Sequence, residues 1–323
     1  MIEVPQAAIA AGTIFLIAYA LIASERIHRT VVALAGAAAV LALRLVHQDV
    51  AFGTGHGGVD WNVIFLLLGM MIIVTITRRT GIFQWMAIKA AKIAKGQPVR
   101  VVILLSVVTA MLSALLDNVT TVLFMAPITL LIADGLGINP LPMLIAQILA
   151  SNIGGTATLI GDPPNIMIGS TAELGFLDFI VHLTPAIVVI FAACIAVYIA
   201  LFRQQLKAPP DAEERIAGFD ESRAITDHGL LVRSLVVLGL TFLGFFTHQA
   251  LHLEPATVAL AGAGLLLLFS RADINEVLHE VEWSTLLFFI GLFIMVGALI
   301  ETGIIGTAAQ LLIARAADSP GGT

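Results

Sequence analysis

The 323-residue chain is 59% hydrophobic and only 12% charged, with a mean hydropathy of +1.01 and a net charge of -6. A soluble domain carries about 25% charged residues, so a soluble globular class is excluded and the chain belongs in lipid. The single cysteine, Cys194, lies in an apolar stretch and offers neither a disulfide framework nor a thiolate cluster for a soft metal.

In chain order, the apolar runs 7–24, 30–46, 61–77, 185–202, 230–246, 256–269 and 284–300 approach or reach the roughly 17 to 25 residues that a bilayer core asks of a helix. The first has no basic region ahead of it and is followed at once by a second, so it reads as a transmembrane helix and not as a signal peptide. Between the second and third lies a glycine-rich loop, Gly53-Thr54-Gly55-His56-Gly57-Gly58. After the third, residues 82–95 set Phe83, Trp85, Met86, Ile88 and Ile93 among Lys89, Lys92 and Lys95, the pattern of an amphipathic helix lying on a membrane surface. Residues 176–183 suggest a similar element.

Residues 101–133 hold two apolar flanks around Asp117-Asn118-Val119-Thr120-Thr121. Read as about 12 to 16 residues each, the flanks are short for full spans and fit a re-entrant hairpin with its tip inside the bilayer. An intramembrane Asp is by default functional, although an Asp in an aqueous loop capping the next helix is the plainer alternative.

A second irregular region follows an apolar helical stretch, 142–150. It breaks at Ser151-Asn152-Ile153-Gly154-Gly155-Thr156-Ala157-Thr158 and again at Gly161-Asp162-Pro163-Pro164-Asn165, because paired Gly and paired Pro both end helices. Unwound carbonyls there would suit a cation, and the next half-helix would offer amides to an anion. The competing reading is a polar loop outside the membrane. Beyond the following span, 204–229 is polar, contains Pro209-Pro210 and reads as a linker. His248 and His252 stand four apart at a helix end and read as interfacial side chains, not metal ligands.

The chain repeats itself. Val59-Asp60-Trp61, Gly69 and Thr80-Gly81-Ile82 return as Val281-Glu282-Trp283, Gly291 and Thr302-Gly303-Ile304 at an offset of 222, and Val32 to Ala37 returns as Val258 to Ala263 at 226. The four-residue difference falls in the glycine-rich loop, where insertions are cheap. Five net crossings separate the copies, and an odd number inverts the second, as in many secondary transporters. The expected fold is therefore an all-α membrane protein with inverted repeats, a re-entrant hairpin and a broken helix. Its parts are a first repeat over 1–203, a cytoplasmic linker over 204–229 and the first part of a second repeat over 230–323. By symmetry the second repeat needs on the order of 100 further residues, so it reads as truncated.

The two polar motifs, Asp117 to Thr121 and Ser151 to Asn165, resemble the ion transporter superfamily. The closest likeness is to the branch of arsenite permeases, citrate transporters, the melanosomal P protein and sodium/proton antiporters. That resemblance implies that hairpin tip and broken helix together form the substrate and cation site. It assigns Asp117, Asn118 and Thr120 to the tip, and Ser151, Asn152, Gly154, Thr156, Asp162 and Asn165 to the broken helix.

The expected function is ion-coupled transport of a small anion or metalloid, whether a carboxylate, arsenite or another oxyanion, with sodium/proton antiport as the alternative. A channel and an intramembrane aspartyl protease are more distant readings. Asp117 and Asp162 are the coupling candidates for Na+ or H+. Asn118, Thr120, Thr121, Ser151, Asn152, Gly154, Gly155, Thr156, Thr158 and Asn165 are the substrate-binding candidates. No catalytic residue, resident metal, cofactor or nucleic-acid partner is expected; the surroundings are lipid, and a homodimer is left open.

Placing the N-terminus outside the cytoplasmic membrane puts 14 of the 16 basic residues inside and leaves only Arg44 and Arg315 outside, as the positive-inside rule requires. The segment 78–100 carries six of them and no acid. A cysteine replacing Lys95 should accordingly resist an impermeant maleimide in intact cells, and labelling there would reverse the orientation.

Overall fold

The computed structural model describes residues 6–53, 57–172 and 174–317, without the side chains of 311–317. Residues 54–56 of the glycine-rich loop lie outside the described residues. Those described form helices only: α1 (Gln6–Ala23), α2 (Arg29–Ala42), α3 (Gln48–Ala51), α4 (Trp61–Arg78), α5 (Ile82–Ile93), α6 (Pro98–Leu115), α7 (Asn118–Leu136), α8 (Pro140–Gly155), α9 (Pro163–Ala172), α10 (Phe176–His182), α11 (Thr184–Phe202), α12 (Ala212–Ala217), α13 (His228–Thr247), α14 (Pro255–Ser270), α15 (Ile274–His279), α16 (Trp283–Glu301) and α17 (Ile304–Ala317). A 3-10 turn covers Glu221–Ala224.

Seven of these helices, α1, α4, α6, α7, α11, α13 and α16, are long and apolar enough to cross a membrane. The number equals that expected from sequence, but the membership differs. Helices α2 and α14, expected as spans, have 14 and 16 residues, about 21 and 24 Å. The arms of the hairpin, expected to be short, have 18 and 19, about 27 and 28 Å. Pro98 starts α6 at its first turn and Gly137 stops α7 in a left-handed cap, so each arm extends past the apolar stretch that marked it.

The chain divides into two compact units, one of residues up to Ile64 together with those from Glu282, the other of Phe65–Val281. In the first, α2 packs on α16, and a Cβ at Gly291 would stand 2.7 Å from the Ala33 carbonyl carbon. In the second, a Cβ at Gly69 would stand 2.7 Å from the Ala259 carbonyl carbon. Gly69 and Gly291 are 222 apart, and Ala33 and Ala259 are 226 apart, so the same contact is made once in each unit. Gly36 likewise faces Met295, and Gly262 faces Ile73 at 3.1 Å. The starts of α1 to α5 and of α13 to α17 follow these offsets, and Gly81 and Gly303, ahead of α5 and α17, share φ = 79°.

Two surface readings are corrected. The alanine face of α5, with Ala87, Ala90, Ala91 and Ala94, is buried in a protein core shared with α6, α7 and α8, and Phe83 stacks on Phe124 of α7 at 5.9 Å. Phe176 and Phe179 of α10 are also buried, Phe176 among Phe242, Phe245 and Phe246 of α13. Apolar faces of these helices thus meet protein, whereas the sequence pattern assigned them to lipid.

The segment read as a linker is folded onto that same core. Leu206, Ala212, Ile216 and Ala224 are buried, and the Phe219 ring would stand 2.7 Å from a Cβ at Gly135 of α7. Thr226 donates its amide to Thr80 O (3.1 Å) and its hydroxyl to Arg79 O (2.6 Å), while Lys92 donates to Phe219 O at 3.1 Å and pairs with Glu221. The hydrogen bond from Lys92 holds the Glu221 carboxyl down at about 2. A depressed carboxylate contributes its stabilisation above its unfolded value and loses it only as pH falls toward the folded one, so this docking is intact at neutral pH. His248, expected to be solvated, is buried with its ring nitrogen 3.0 Å from Leu253 O.

The glycine crossings predict a paired effect. Overpacking at a close backbone approach costs about 1 to 3 kcal/mol, so Gly69→Val and Gly291→Val should each lower the thermal midpoint in detergent. Equal stability of wild type and either variant would contradict the contact.

Candidate functional site

The candidate site lies where α6, α7 and α8 meet, all within the second unit. Only Leu116 and Asp117 separate α6 from α7. Asp117 has an extended backbone (φ -78°, ψ 156°) and caps α7, its carboxylate accepting from Thr120 N at 2.8 Å. Thr121 donates its hydroxyl back to Asp117 O at 2.8 Å. The tip is therefore two residues long, and Asn118, Thr120 and Thr121, expected in it, occupy the first turn of α7. The cause is the cap itself, since an Asp at this position satisfies an amide that would otherwise be orphaned.

The break is also shorter than expected. Ser151, Asn152, Gly154 and Gly155 belong to α8, and only Thr156 to Asp162 is non-helical. Gly154 and Gly155 extend the helix because the space is needed: a Cβ at Gly155 would meet Gly161 O at 2.7 Å, and one at Gly154 would run into the Ala110 backbone. Pro163 and Pro164, expected to stop a helix, start α9, where their missing amides cost nothing. That choice weakens the expected anion site at the α9 N-terminus, because two of its four unpaired donors are absent and Asn165 N already bonds Asp162 O at 2.9 Å.

Across the gap, Asn118 Nδ2 donates to Asn152 Oδ1 at 3.0 Å and Ser151 Oγ donates to Asn118 O at 2.7 Å. Ser113 of α6 donates to Ser151 O at 2.7 Å. The break is wired from both sides: Thr158 donates to Ala114 O and accepts from Gly161 N, Asn165 Nδ2 donates to Thr156 O (3.1 Å) and Thr158 O (2.8 Å), and Thr184 at the start of α11 donates to Ala157 O (2.9 Å). Thr156 bonds back to Asn152 O at 2.9 Å.

The twelve candidates thus separate by task. Thr121, Ser151, Gly154, Gly155, Thr158 and Asn165 are buried and hold the architecture. Asp117, Asn118, Asn152, Thr156 and Asp162 keep exposed surface around the junction, as does Thr120. A Cβ at Gly161 would stand 2.7 Å from Ser113 O, and Asp117 follows Ser113 by four residues, so the end of α6 carrying Asp117 and the break carrying Asp162 lie against each other although the two acids are 45 residues apart in sequence.

Sequence reasoning passed over Ser113, Thr109, Gln147, Thr184 and Tyr198, which support this junction from behind. Thr109 bonds Gln147, and Tyr198 of α11 donates to Pro142 O. Ser106, Thr109 and Ser113 recur at three- and four-residue spacing along an otherwise apolar helix, which is the signal of a buried polar stripe.

Seven helices long and apolar enough to cross a membrane are those of a multi-pass membrane protein. The chain belongs to the citrate transporter family, which it matches over residues 19–322, and is a membrane transporter of that family. It is 52% identical over 302 residues to an uncharacterised transporter of Mycobacterium tuberculosis, covering 94% of this chain and 70% of the relative. A 46 kDa membrane protein of Mycobacterium leprae is 47% identical over 298 residues, covering 92% and 70%. The P protein of Homo sapiens is 31% identical over 371 residues, covering 91% of this chain and 44% of that protein.

The wiring of the break yields a signed prediction. Asn165→Asp keeps the shape but turns a two-carbonyl donor into an acceptor, which should cost about 1 to 3 kcal/mol at neutral pH. Because the protonated acid can donate, the variant should regain stability as pH falls, and a thermal midpoint deficit independent of pH would contradict the assigned bonds.

Proposed function

We propose that this protein is an ion-coupled secondary transporter that carries a small carboxylate, with citrate the first candidate, across the cytoplasmic membrane. The observation that carries the reading is the packing of the α6 end that bears Asp117 against the break that bears Asp162, beside the neutral amides of Asn118 and Asn152. Two carboxylates at a membrane-embedded junction are costly unless a cation or proton is shared with them. A carboxylate cargo adds further negative charge, so it can enter only with a cation that offsets it. Asn118, Asn152 and Thr156 then hold the cargo by hydrogen bonds, and Asp117 and Asp162 couple it to Na+ or H+.

The family description supports the carboxylate class; arsenite and other oxyanions remain in the same chemical frame as oxygen-rich cargo. Inverted repeats are the architecture this mechanism uses, and they are supported by the twin glycine crossings and the matched starts of α1 to α5 and α13 to α17. A re-entrant hairpin is supported by the two-residue polar turn between α6 and α7, though their length alone does not require it. An external N-terminus is supported by the joining of Arg78, Arg79 and Lys92 to α15 and the folded linker at one end of α4.

The test is uptake of radiolabelled citrate and arsenite into proteoliposomes, with and without imposed sodium or proton gradients. Asn caps helices as well as Asp does, so Asp117→Asn removes charge and leaves α7 in place. Both Asp117→Asn and Asp162→Asn should insert normally and lose gradient-driven accumulation. Unchanged, still coupled flux in both variants would refute the assignment.

A further inference from the structure

Behind the junction, α6, α7 and α8 each carry one buried polar atom that has no hydrogen-bond partner in the protein: Ser106 Oγ, Thr129 Oγ1 and Gln147 Nε2. Their residues are 0%, 0% and 1% exposed. One comes from each of three helices that pack on one another. At 1.5 Å per residue, Ser106 and Thr129 lie at nearly the same depth, about 16 to 18 Å below the turn at Asp117.

Helical phase turns them inward. Thr129 follows Asn118 by 11 residues, three turns with about 20° of drift along an α7 that carries Pro127 between them, and so shares the side of α7 whose residue reaches Asn152 of α8. Phe124, which faces α5, is on the other side, about 140° away from Thr129 in phase. Gln147 is anchored through Oε1 to Thr109, one turn above Ser106 on α6. Turning the amide over does not remove the problem, because one of its two polar atoms is always left over.

Buried polar groups without partners are rare, and internal waters satisfying two to four of them are a regular part of folded proteins. The lining offers two hydroxyls that both donate and accept and one amide donor, with no charged group among them. That set matches a neutral, small, doubly competent molecule better than an ion, whose charge it could not offset.

We propose that Ser106, Thr129 and Gln147 bind ordered water in the core of the α6-α7-α8 bundle. The water fixes the register of the hairpin on α8. Through Gln147-Thr109 and Ser113-Ser151 above it, it sets where Asn118 meets Asn152. These three are positioning residues; none touches cargo.

The sign of a stability change separates a wet core from a dry one. Removing an unpaired buried hydroxyl is neutral or stabilising, whereas removing one bound to water leaves that water and its other partners undersatisfied. Thr129→Val and Ser106→Ala in the purified full chain, in sodium-free choline buffer, should each lower the thermal midpoint by a few degrees. A rise or no change would overturn the proposal, and a fall seen only in sodium would replace water with a bound cation.

Register has its own readout. In a Cys194→Ser background with Val119→Cys in the first turn of α7, Gln147→Leu should speed maleimide labelling severalfold, while Gln147→Asn, which keeps a neutral amide, should restore part of the wild-type rate. Equal labelling in wild type and Gln147→Leu would overturn the positioning role. Should Gln147→Leu fail to fold, Thr129→Val in the same background carries this measurement.

Discussion

The structure depends on one constraint: a helix that stops inside an apolar bundle must find partners for its own backbone. Water is not there to supply them, and each unsatisfied group costs several kcal/mol in a lipid-like setting. At and around the break from Thr156 to Asp162 the chain meets this demand with side chains from α6, α9, α11 and the break itself. Ser113, Thr158, Asn165 and Thr184 are spent on carbonyls of Ser151, Ala114, Thr156, Thr158 and Ala157. The candidate site is what remains after that accounting. Asn118, Asn152, Thr156, Asp117 and Asp162 retain surface because the neighbouring hydroxyls and Asn165 have already stabilised the break.

Close approach is the second requirement. Wiring over distances near 3 Å needs backbones that can touch, which is why Gly154 meets Ala110 and Gly155 meets Gly161. Between helices buried against each other there is little hydrophobic gain over lipid, so small residues at the crossing raise the van der Waals contact that holds them. The same device recurs at Gly69 with Ala259 and at Gly291 with Ala33.

How far the sequence told this in advance follows from what its signals measure. Polar residues inside apolar runs located the junction, because composition alone makes Asp117 and Asp162 anomalous. Helix ends did not follow from the same signals: the Gly pair reads as a stop unless Ala110 is known to press on it, and Pro163-Pro164 reads as a stop unless it is seen to open α9. Nor could composition tell lipid from protein as the partner of an apolar face. Ala87, Ala90 and Ala91 of α5 would look the same on a membrane surface as they do under α6 and α7. The linker is legible as polar, but its few apolar residues, Leu206, Ala212 and Ile216, are the ones that dock it.

The two copies agree in geometry and differ in charge, and the difference has a direction. In one unit Arg79, at the end of α4, pairs with Glu276 at 3.0 Å and Glu280 at 2.8 Å, tying that helix to α15. In the other unit the residue 222 positions later is Glu301, at the end of α16, and it accepts from His47 N at 3.1 Å ahead of α3. The short helices α3 and α15 correspond at 226. A basic residue anchors the joint in one copy and an acidic residue anchors it in the other, so neither copy can replace the other electrostatically although their glycine crossings are alike. The charges at these joints have diverged while the glycine packing of the two units has not.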